Sequence, residues 1–247
     1  MLPWLRGWTD IRRTPEADLR LGALLAFVAG ATNAGGFLAV ARYTSHMTGI
    51  VSAMADDLVL GHWSLALAGA AALTMFLLGA MCTALLVNLA RQRGMHSRFA
   101  LPLMLEAALL LLFGLLGATL SLSVALLLPA TVLLLCFIMG LQNAVISKIS
   151  RATIRTTHVT GLVTDLGIEL GKLVYVNRAG MAQPVHADRG RMKMHALLIA
   201  MFFVGGLFGA LGFKQVGYIT TVPLAIALIV VAYRPLLADL RSLARPA

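Results

Sequence analysis

Two histidines of the chain are followed by the same short pattern of residues. His46 begins a His-Met-Thr-Gly tetrapeptide, and His158 begins a His-Val-Thr-Gly tetrapeptide. Each lies next to long apolar runs, where an ionisable side chain is a functional candidate by default. Each histidine is therefore a candidate proton-relay or ligand group, or else a side chain that bonds a helix end and holds a break in the helix.

The repetition extends on both sides of the histidines. Both halves contain a G-x-x-N-A pattern, an arginine, two small hydroxyl residues, H-x-T-G, two aliphatic residues and another hydroxyl, with small gaps between them. A weaker match relates the Phe-x-x-Gly of residues 76–79 to that of residues 202–205. The repeated polar positions are Asn33, Arg42, Ser45, His46, Thr48, Gly49 and Asp57 in the first half, and Asn143, Arg155, Thr157, His158, Thr160, Gly161 and Glu169 in the second.

This set of residue types suits a break in a membrane helix. A chain that breaks its helix near lipid must satisfy the freed backbone groups. Thr48 and Thr160 are expected to cap the helices that follow, and Ser45 and Thr157 to bond the preceding carbonyl groups. The glycines permit close approach of the backbone. The helix N-termini would then offer N–H groups and partial positive charge to an anion or a polar solute.

Other polar residues have two interpretations each. Asn33 and Asn143 either bind a substrate or brace the neighbouring short helix, because an unpaired amide in an apolar span is costly. Arg42 and Arg155 either attract an anion or extend to lipid headgroups. Glu106 is either a proton-coupling carboxylate or the partner of a nearby arginine. Asp57 and Glu169 either line the mouths of the site or lie on solvated faces.

Composition places the chain in a membrane. Of its 247 residues, 60% are hydrophobic and 12% are charged, against about 25% charged in soluble domains. The net charge of +10 does not indicate nucleic-acid binding, because the basic residues lie in short loops between apolar runs. Cys82 and Cys136 lie inside apolar runs and are expected to be free thiols. No metal, nucleotide or nucleophile motif occurs, so no cofactor or metal is expected.

The apolar runs predict an all-α membrane protein with six transmembrane helices. The predicted spans are residues 21–41, 63–90, 99–121, 123–147, 194–213 and 216–233, each close to the ~20 residues that cross a bilayer. The predicted units are a cytoplasmic arm (1–20), a first three-span repeat (21–121), a second three-span repeat (122–235) and a cytoplasmic tail (236–247). The glycine-rich run 205–209 is expected to pack against another helix, and it would also permit a homodimer.

Two shorter segments follow the first span of each repeat, at residues 47–61 and 159–173. Each is too short to cross comfortably, so it is predicted as a broken or re-entrant helix, with a helix on the membrane surface as the alternative. The arginines and lysines of the connections then place both termini in the cytoplasm. Since three spans are an odd number, the second repeat must be inverted relative to the first.

The first motif resembles a known signature. Asn33, the Ser45-His46-Met47-Thr48-Gly49 element and Leu58-x-x-Gly61 look like the YoaK-like family of bacterial inner-membrane proteins, catalogued as a domain of unknown function. The resemblance implies a multi-span protein of the bacterial inner membrane and no particular substrate. That family usually has Asn after the glycine, where this chain has Ile50.

These patterns favour a transporter or channel for a small polar or anionic solute, bound between the two H-x-T-G breaks. The polar elements recur in both halves, whereas an enzyme site is usually asymmetric. An intramembrane enzyme acting on a lipid or small molecule is the first alternative, with His46 as acid or base and Asp56 or Asp57 as its partner. A scaffold that transports nothing is the second. Membrane lipids and the solute are the expected partners.

Overall fold

The computed structural model describes residues 14–40, 43–119, 124–150, 153–178 and 182–243. Within these residues the fold is entirely helical, and no strand occurs. Arg42 and the predicted turn at residues 121–123 lie outside the described residues. The helices are α1 Pro15–Val40, α2 Met47–Val59, α3 Trp63–Gln92, α4 Ala100–Ala118, α5 Val124–Ile149, α6 Val159–Val174, α7 Arg189–Gln215 and α8 Thr221–Leu243, with a 3-10 turn at Gly217–Thr220 before α8.

Several helices are longer than their apolar runs predict. Helices α1 and α7 begin at Pro15 and Arg189, before the spans predicted to start at residues 21 and 194. Hydroxyl and carboxylate caps extend both helices into polar sequence. Thr14 Oγ1 accepts from the amide of Ala17, and the Asp188 carboxylate accepts from two amides at the start of α7. Hydropathy marks the lipid-facing part of a helix, whereas caps mark its end.

Among the described residues, five helices are long and apolar enough to cross a membrane by length and composition: α3, α4, α5, α7, and α8 together with the 3-10 turn before it. Their burial differs, and that of α8 lies between the extremes at 35%. About half of the apolar window of α4 and α5 is buried, against 22% for α3 and 17% for α7. The exposed side chains of α3 and α7 include large apolar residues such as Leu85 and Phe203. These two helices therefore carry the apolar surface that lipid would cover.

The helices pack in a definite set of pairs. α1 lies along α7, α3 lies along α5, and α4 lies along α8, while the short helices α2 and α6 pack on α3 and α7. α4 also contacts α5, and α1 crosses α5. The buried core lies where α1, α4, α5 and α8 meet, and Leu25, Leu103, Met139 and Leu228 are among its fully buried residues.

Glycines allow the close packing of two helix pairs, α1 with α7 and α3 with α5. A Cβ at Gly30 would overlap the carbonyl oxygen of Phe202, and one at Gly205 would overlap that of Phe27. The glycine run of α7 is therefore occupied by α1, as the helix-packing prediction required. The α3–α5 pair is equally close, because a Cβ at Gly140 would overlap the carbonyl oxygen of Phe76. Such close backbone approach is what small residues allow at membrane helix interfaces.

Candidate functional site: two clefts at the helix breaks

His46 and His158 occupy the same position relative to the short helices that follow them. Each is the N-cap residue of its helix, α2 or α6, and neither side chain makes a capping hydrogen bond. The prediction that Thr48 and Thr160 cap these helices is therefore wrong, since both lie one residue inside the first turn. The alternative in which the histidines bond the helix end is also wrong, because neither imidazole makes a capping hydrogen bond.

Each histidine ring instead folds over the glycine three residues later. A Cβ at Gly49 would overlap the His46 ring, and a Cβ at Gly161 would overlap the His158 ring. The glycine of H-x-T-G is thus required by the imidazole and not by a second helix. A helical residue at i+3 lies directly over residue i, which explains the spacing.

The hydroxyl residue before each histidine is tied to the preceding long helix. Ser45 Oγ donates to Asn33 Oδ1 over 2.8 Å, and Thr157 Oγ1 donates to Asn143 Oδ1 over 2.7 Å. These hydroxyls therefore bond side-chain amides rather than backbone carbonyl groups, which corrects that prediction. Each asparagine thus bonds the segment that precedes a short helix.

A second hydroxyl near each break is buried and has no hydrogen-bond partner in the part of the chain that the structure describes. These are Thr44 and Thr156, with side chains at most 1% exposed. Each lies two residues before its histidine. Both halves thus place an unbonded hydroxyl at the base of the break.

The first cleft has a volume of about 780 Å³ and lies between α2, α3 and α5. Its polar lining consists mainly of Thr44, His46 and Asp57, and the rest is mostly apolar. Asp57 Oδ1 lies 3.5 Å from Nδ1 of His62. The carboxylate proposed as an enzyme partner of His46 therefore has a different histidine beside it. The apolar lining includes Ile50, Ala53, Met54, Leu65, Gly69, Ala72, Val132 and Cys136.

The second cleft, of about 520 Å³, surrounds His158 and is far more polar. It is lined by Arg155, Thr160, Asp165 and Arg191 as well as the histidine. Nη1 of Arg155 lies 3.2 Å from Nδ1 of His158. Two arginines, a hydroxyl and the N-terminus of α6 therefore converge on one space, which suits an anion.

The two clefts lie at opposite ends of α1. Thr44 Oγ1 is 3.7 Å from the Cβ position of Gly36, and Ile154 is 2.9 Å from that of Gly22. These glycines are about 21 Å apart along the helix axis. The prediction of one solute held between both breaks is therefore not met by this conformation, because each short helix packs on a different long helix and forms its own cleft.

Glu169 was expected at a mouth or on a solvated face, and it is buried instead. Its Oε1 accepts from Nζ of Lys172 over 2.8 Å, and its Oε2 accepts from the amide of Asp188 over 2.7 Å. The Lys172 hydrogen bond, followed by that from Asp188, lowers the pKa of the Glu169 carboxyl below its ordinary value. Glu169 thus fastens α6 to the start of α7.

Glu106 is fully buried in α4, and no arginine among the described residues pairs with it. It interacts with the Gln142 side chain of α5, although neither of its oxygens has a donor at hydrogen-bond distance among the described residues. Gln142 Nε2 in turn donates to the carbonyl oxygen of Leu25 over 3.3 Å. Glu106 and Gln142 therefore lie deep in the core rather than in either cleft.

Sequence reasoning assigned no role to His195 and Arg191. Arg191 lines the second cleft, and Nε2 of the buried His195 lies 4.0 Å from Oδ2 of Asp165. Their spacing of four residues places both on one face of α7, which is the signal that could have found them. Three residues before each histidine, Tyr43 lines the first cleft and Arg155 lines the second.

No curated protein and no solved structure matches the chain. The resemblance to the YoaK-like family therefore stays a prediction. A family model described as "Protein of unknown function (DUF1275)" matches residues 21–233, which is most of the chain. Together with its five apolar helices, this match identifies the chain as a multi-pass membrane protein that belongs to the DUF1275 family.

Proposed function

We propose that the protein is a transporter of a small anion, built from six spans in two inverted three-span repeats. The observation that carries the proposal is the exchange of packing partners between the halves. α1 of the first half packs on α7 of the second, and α5 of the second half packs on α3 of the first. Transporters with inverted repeats bind their solute beside broken helices and work by moving one such bundle against the other.

The exchange extends to single residues. Gly30 faces Phe202 as Gly140 faces Phe76. Gly205 faces Phe27 as Gly79 faces Phe137. In both helix pairs, the phenylalanine of the weak Phe-x-x-Gly match thus contacts the glycine of the stronger G-x-x-N-A match.

The directions of the helices support inversion. Leu135 lies 3.1 Å from the Cβ position of Gly36, while Gln142 bonds the carbonyl oxygen of Leu25. α1 and its counterpart α5 therefore run in opposite directions where they cross. In the same way α4 and α8 are antiparallel, since Gly114 faces Thr221 and Ser97 bonds Asp239.

α1 is the sixth span of the proposal. It has 26 residues and would reach about 39 Å as a straight helix. It lies along α7 from the Gly30–Phe202 contact to the Gly35–Phe213 contact. Because α7 is itself long and apolar enough to cross, a helix packed along it in this way crosses with it.

α2 and α6 are the re-entrant helices of the proposal. α2 has 13 residues and reaches about 20 Å. His46 at its start lines the same cleft as Ala72, which is well inside α3, and as Cys136 of α5. A helix lying on the membrane surface would not bring its first turn to interior positions of two spans. Each short helix then enters and leaves on one side.

The charge of the second cleft gives the class of solute. Arg155 and Arg191 contribute two positive charges, and Thr160 and the α6 N-terminus contribute hydrogen-bond donors. Asp165 is the acidic residue of the lining. The net positive charge and the donors favour an anion over a cation or a neutral solute. With the N-terminus in the cytoplasm of a bacterium, this cleft faces the cytoplasm, and the cleft of His46 faces outward.

Uptake into proteoliposomes tests transport. The panel contains chloride, nitrate, sulfate, phosphate and acetate, with Arg155→Gln and Arg191→Gln compared with the wild type. Lys214→Gln is the matched control, because Lys214 lies near the other end of α7. Wild-type flux that falls at least about tenfold in the two cleft variants and persists in the control supports the proposal. Flux that all three variants retain removes the cleft from the path, and no wild-type flux for any anion rejects an anion transporter.

Labelling of introduced cysteines tests the arrangement of spans. A parent lacking Cys82 and Cys136 receives one cysteine at a time, in Leu60→Cys, Arg93→Cys, Gln183→Cys or Val216→Cys. An impermeant thiol reagent outside cells should label positions 60 and 216, while positions 93 and 183 stay protected. Protection of position 60 would mean that α2 crosses fully, which contradicts the re-entrant arrangement.

A further inference from the structure

His195 is a buried titratable group that the proposed function does not use. Its side chain is 2% exposed, and its Nδ1 has no hydrogen-bond partner in the described part of the chain. Its Nε2 points to Asp165, whose Oδ2 lies 4.0 Å away. Asp165 is about half exposed and lines the second cleft. A buried histidine therefore lies behind an acidic residue of the basic cleft.

The first cleft lacks this pair. Counted from the two histidines, Ala53 corresponds to Asp165. Counted from the Phe-x-x-Gly matches, Gly69 corresponds to His195 and Leu65 to Arg191. Ala53, Leu65 and Gly69 all line the first cleft. The break itself, which both halves share, thus needs neither Asp165 nor His195.

Several elements packed around the His195–Asp165 pair carry charged residues. Glu169 of α6 is already bonded by Lys172 and by the Asp188 amide. Arg155 and His158 come from the segment before α6, and Arg191 comes from α7 itself. α1 packs along α7 in the same direction, and the charged residues of its first turns are Glu16, Asp18 and Arg20, of which Arg20 pairs with Glu16.

We propose that His195 binds one proton when the cleft binds the anion. The Asp165 carboxylate links the two events, because it pairs either with the arginines of the cleft or with protonated His195. With neutral His195, the Asp165 carboxylate is free to pair with the arginines and competes with the anion. When His195 Nε2 accepts a proton, the imidazolium pairs with Asp165, and Arg155 and Arg191 are left to the anion. The N–H bond formed on His195 is the covalent change, and one proton and one anion enter the cleft together.

This inference rests on the proposed function, and histidine suits it because its charge changes between pH 5 and 8. Binding of ³⁵S-sulfate and of nitrate to the purified full-length protein is measured by equilibrium dialysis at pH 5.5 and pH 8, where both probes keep a constant charge. We expect the wild type to bind at least roughly fivefold tighter at pH 5.5. His195→Gln and Asp165→Asn should each bring that ratio close to one.

His62→Gln is the matched control, because His62 also lies beside an aspartate but belongs to the other end of the fold. It should keep the wild-type ratio. Asp165→Asn keeps the test valid if the buried His195→Gln fails to fold, because Asp165 is exposed to the cleft. A ratio unchanged in Asp165→Asn, or a wild type whose binding does not depend on pH, overturns the inference while leaving the anion site in place. Absence of sulfate and nitrate binding at both pH values overturns the anion site and this inference together.

Discussion

Thr157 Oγ1 donates a 2.7 Å hydrogen bond to Oδ1 of Asn143, which ties the residue before His158 to the interior of α5. Asn143 Nδ2 donates in turn to the carbonyl oxygen of Met139 one turn earlier in α5. The amide is thus held by its own helix while it holds the start of the next one. Ser45 and Asn33 make the same contact in the first half.

Coupling between Asn143 and Thr157 should be measurable by a double-mutant cycle. Asn143→Ala and Thr157→Val each leave one partner without its bond, so the two changes together should cost less than their sum by about 0.5–1.5 kcal/mol. Unfolding in detergent with increasing dodecyl sulfate measures each variant. Thr164→Val is the control, because its hydroxyl bonds Thr160 within α6, and it should show no coupling to Asn143. Additive effects of Asn143→Ala and Thr157→Val would contradict the brace.

The glycine of each H-x-T-G should be intolerant of even one methyl group. Gly161→Ala would push the ring of His158 out of its place over the first turn of α6, and we expect a loss of about 1–3 kcal/mol in the free energy of unfolding. Gly49→Ala should behave alike against His46. Thermal unfolding of the purified variants is the measurement.

Two glycines in the same helix serve as controls for that change. Among the described residues, a Cβ at Gly167 or Gly171 would meet no atom within 4 Å beyond its chain neighbours and its own turn of helix. Alanine there should be neutral or stabilising by up to about 1 kcal/mol, because alanine favours a helix over glycine. If Gly161→Ala is as harmless as Gly167→Ala, the ring does not lie where the structure places it.

The sequence predicted the parts of the site that depend on near neighbours. Both short helices begin where the H-x-T-G motifs indicate, at Met47 and Val159. The asparagines were recognised as needing a partner, because an amide in an apolar span cannot stay unpaired. These inferences use only local sequence and the low dielectric of the surroundings.

The remaining features depend on the packing of distant segments. His195 gains its significance only because α6 returns along α7 and brings Asp165 to it. Glu169 is buried because the amide of Asp188, in a different segment, bonds it. The position of each histidine ring over its glycine depends on a side-chain rotamer, which a pattern of residue types does not specify. Separation into two clefts depends on which long helix each short helix packs against.

The α1–α7 crossing should distinguish two adjacent glycines. A Cβ at Gly205 would overlap the backbone of Phe27, while one at Gly206 would lie 3.8 Å from the carbonyl oxygen of Gly30. We expect Gly205→Ala to cost about 3 kcal/mol, because backbone atoms cannot move aside as a side chain does. Gly206→Ala should be close to neutral. Folded yield by size-exclusion chromatography and the unfolding midpoint measure both, and equal effects would mean that α1 does not meet α7 at this register.

The Glu169 contact should make the attachment of α6 to α7 sensitive to acid. The pKa of Glu169 is lower in the folded protein than its ordinary value of 4.5, first because Lys172 bonds it and then because the Asp188 amide does. A carboxyl group with a lowered folded pKa stabilises the fold above its unfolded pKa, and that contribution is lost as the pH falls through the lower folded value. The attachment should therefore be constant at neutral pH and weaken as the pH falls below 4.5, the ordinary value for this carboxyl.

Hydrogen exchange at the start of α7 measures this attachment, because the Asp188 amide itself donates to Glu169 Oε2. Exchange rates corrected for the intrinsic effect of pH should rise in the wild type as the pH falls below 4.5, the ordinary value for this carboxyl. In Glu169→Gln they should be raised already at neutral pH and show no further rise in acid. Lys172→Met should shift the wild-type transition to higher pH, because it removes the hydrogen bond that contributes most to the lowered pKa. Arg178→Gln, a charge removed from an exposed position in the same connection, should leave the transition where it is. A transition that survives in Glu169→Gln would assign the acid sensitivity to another group.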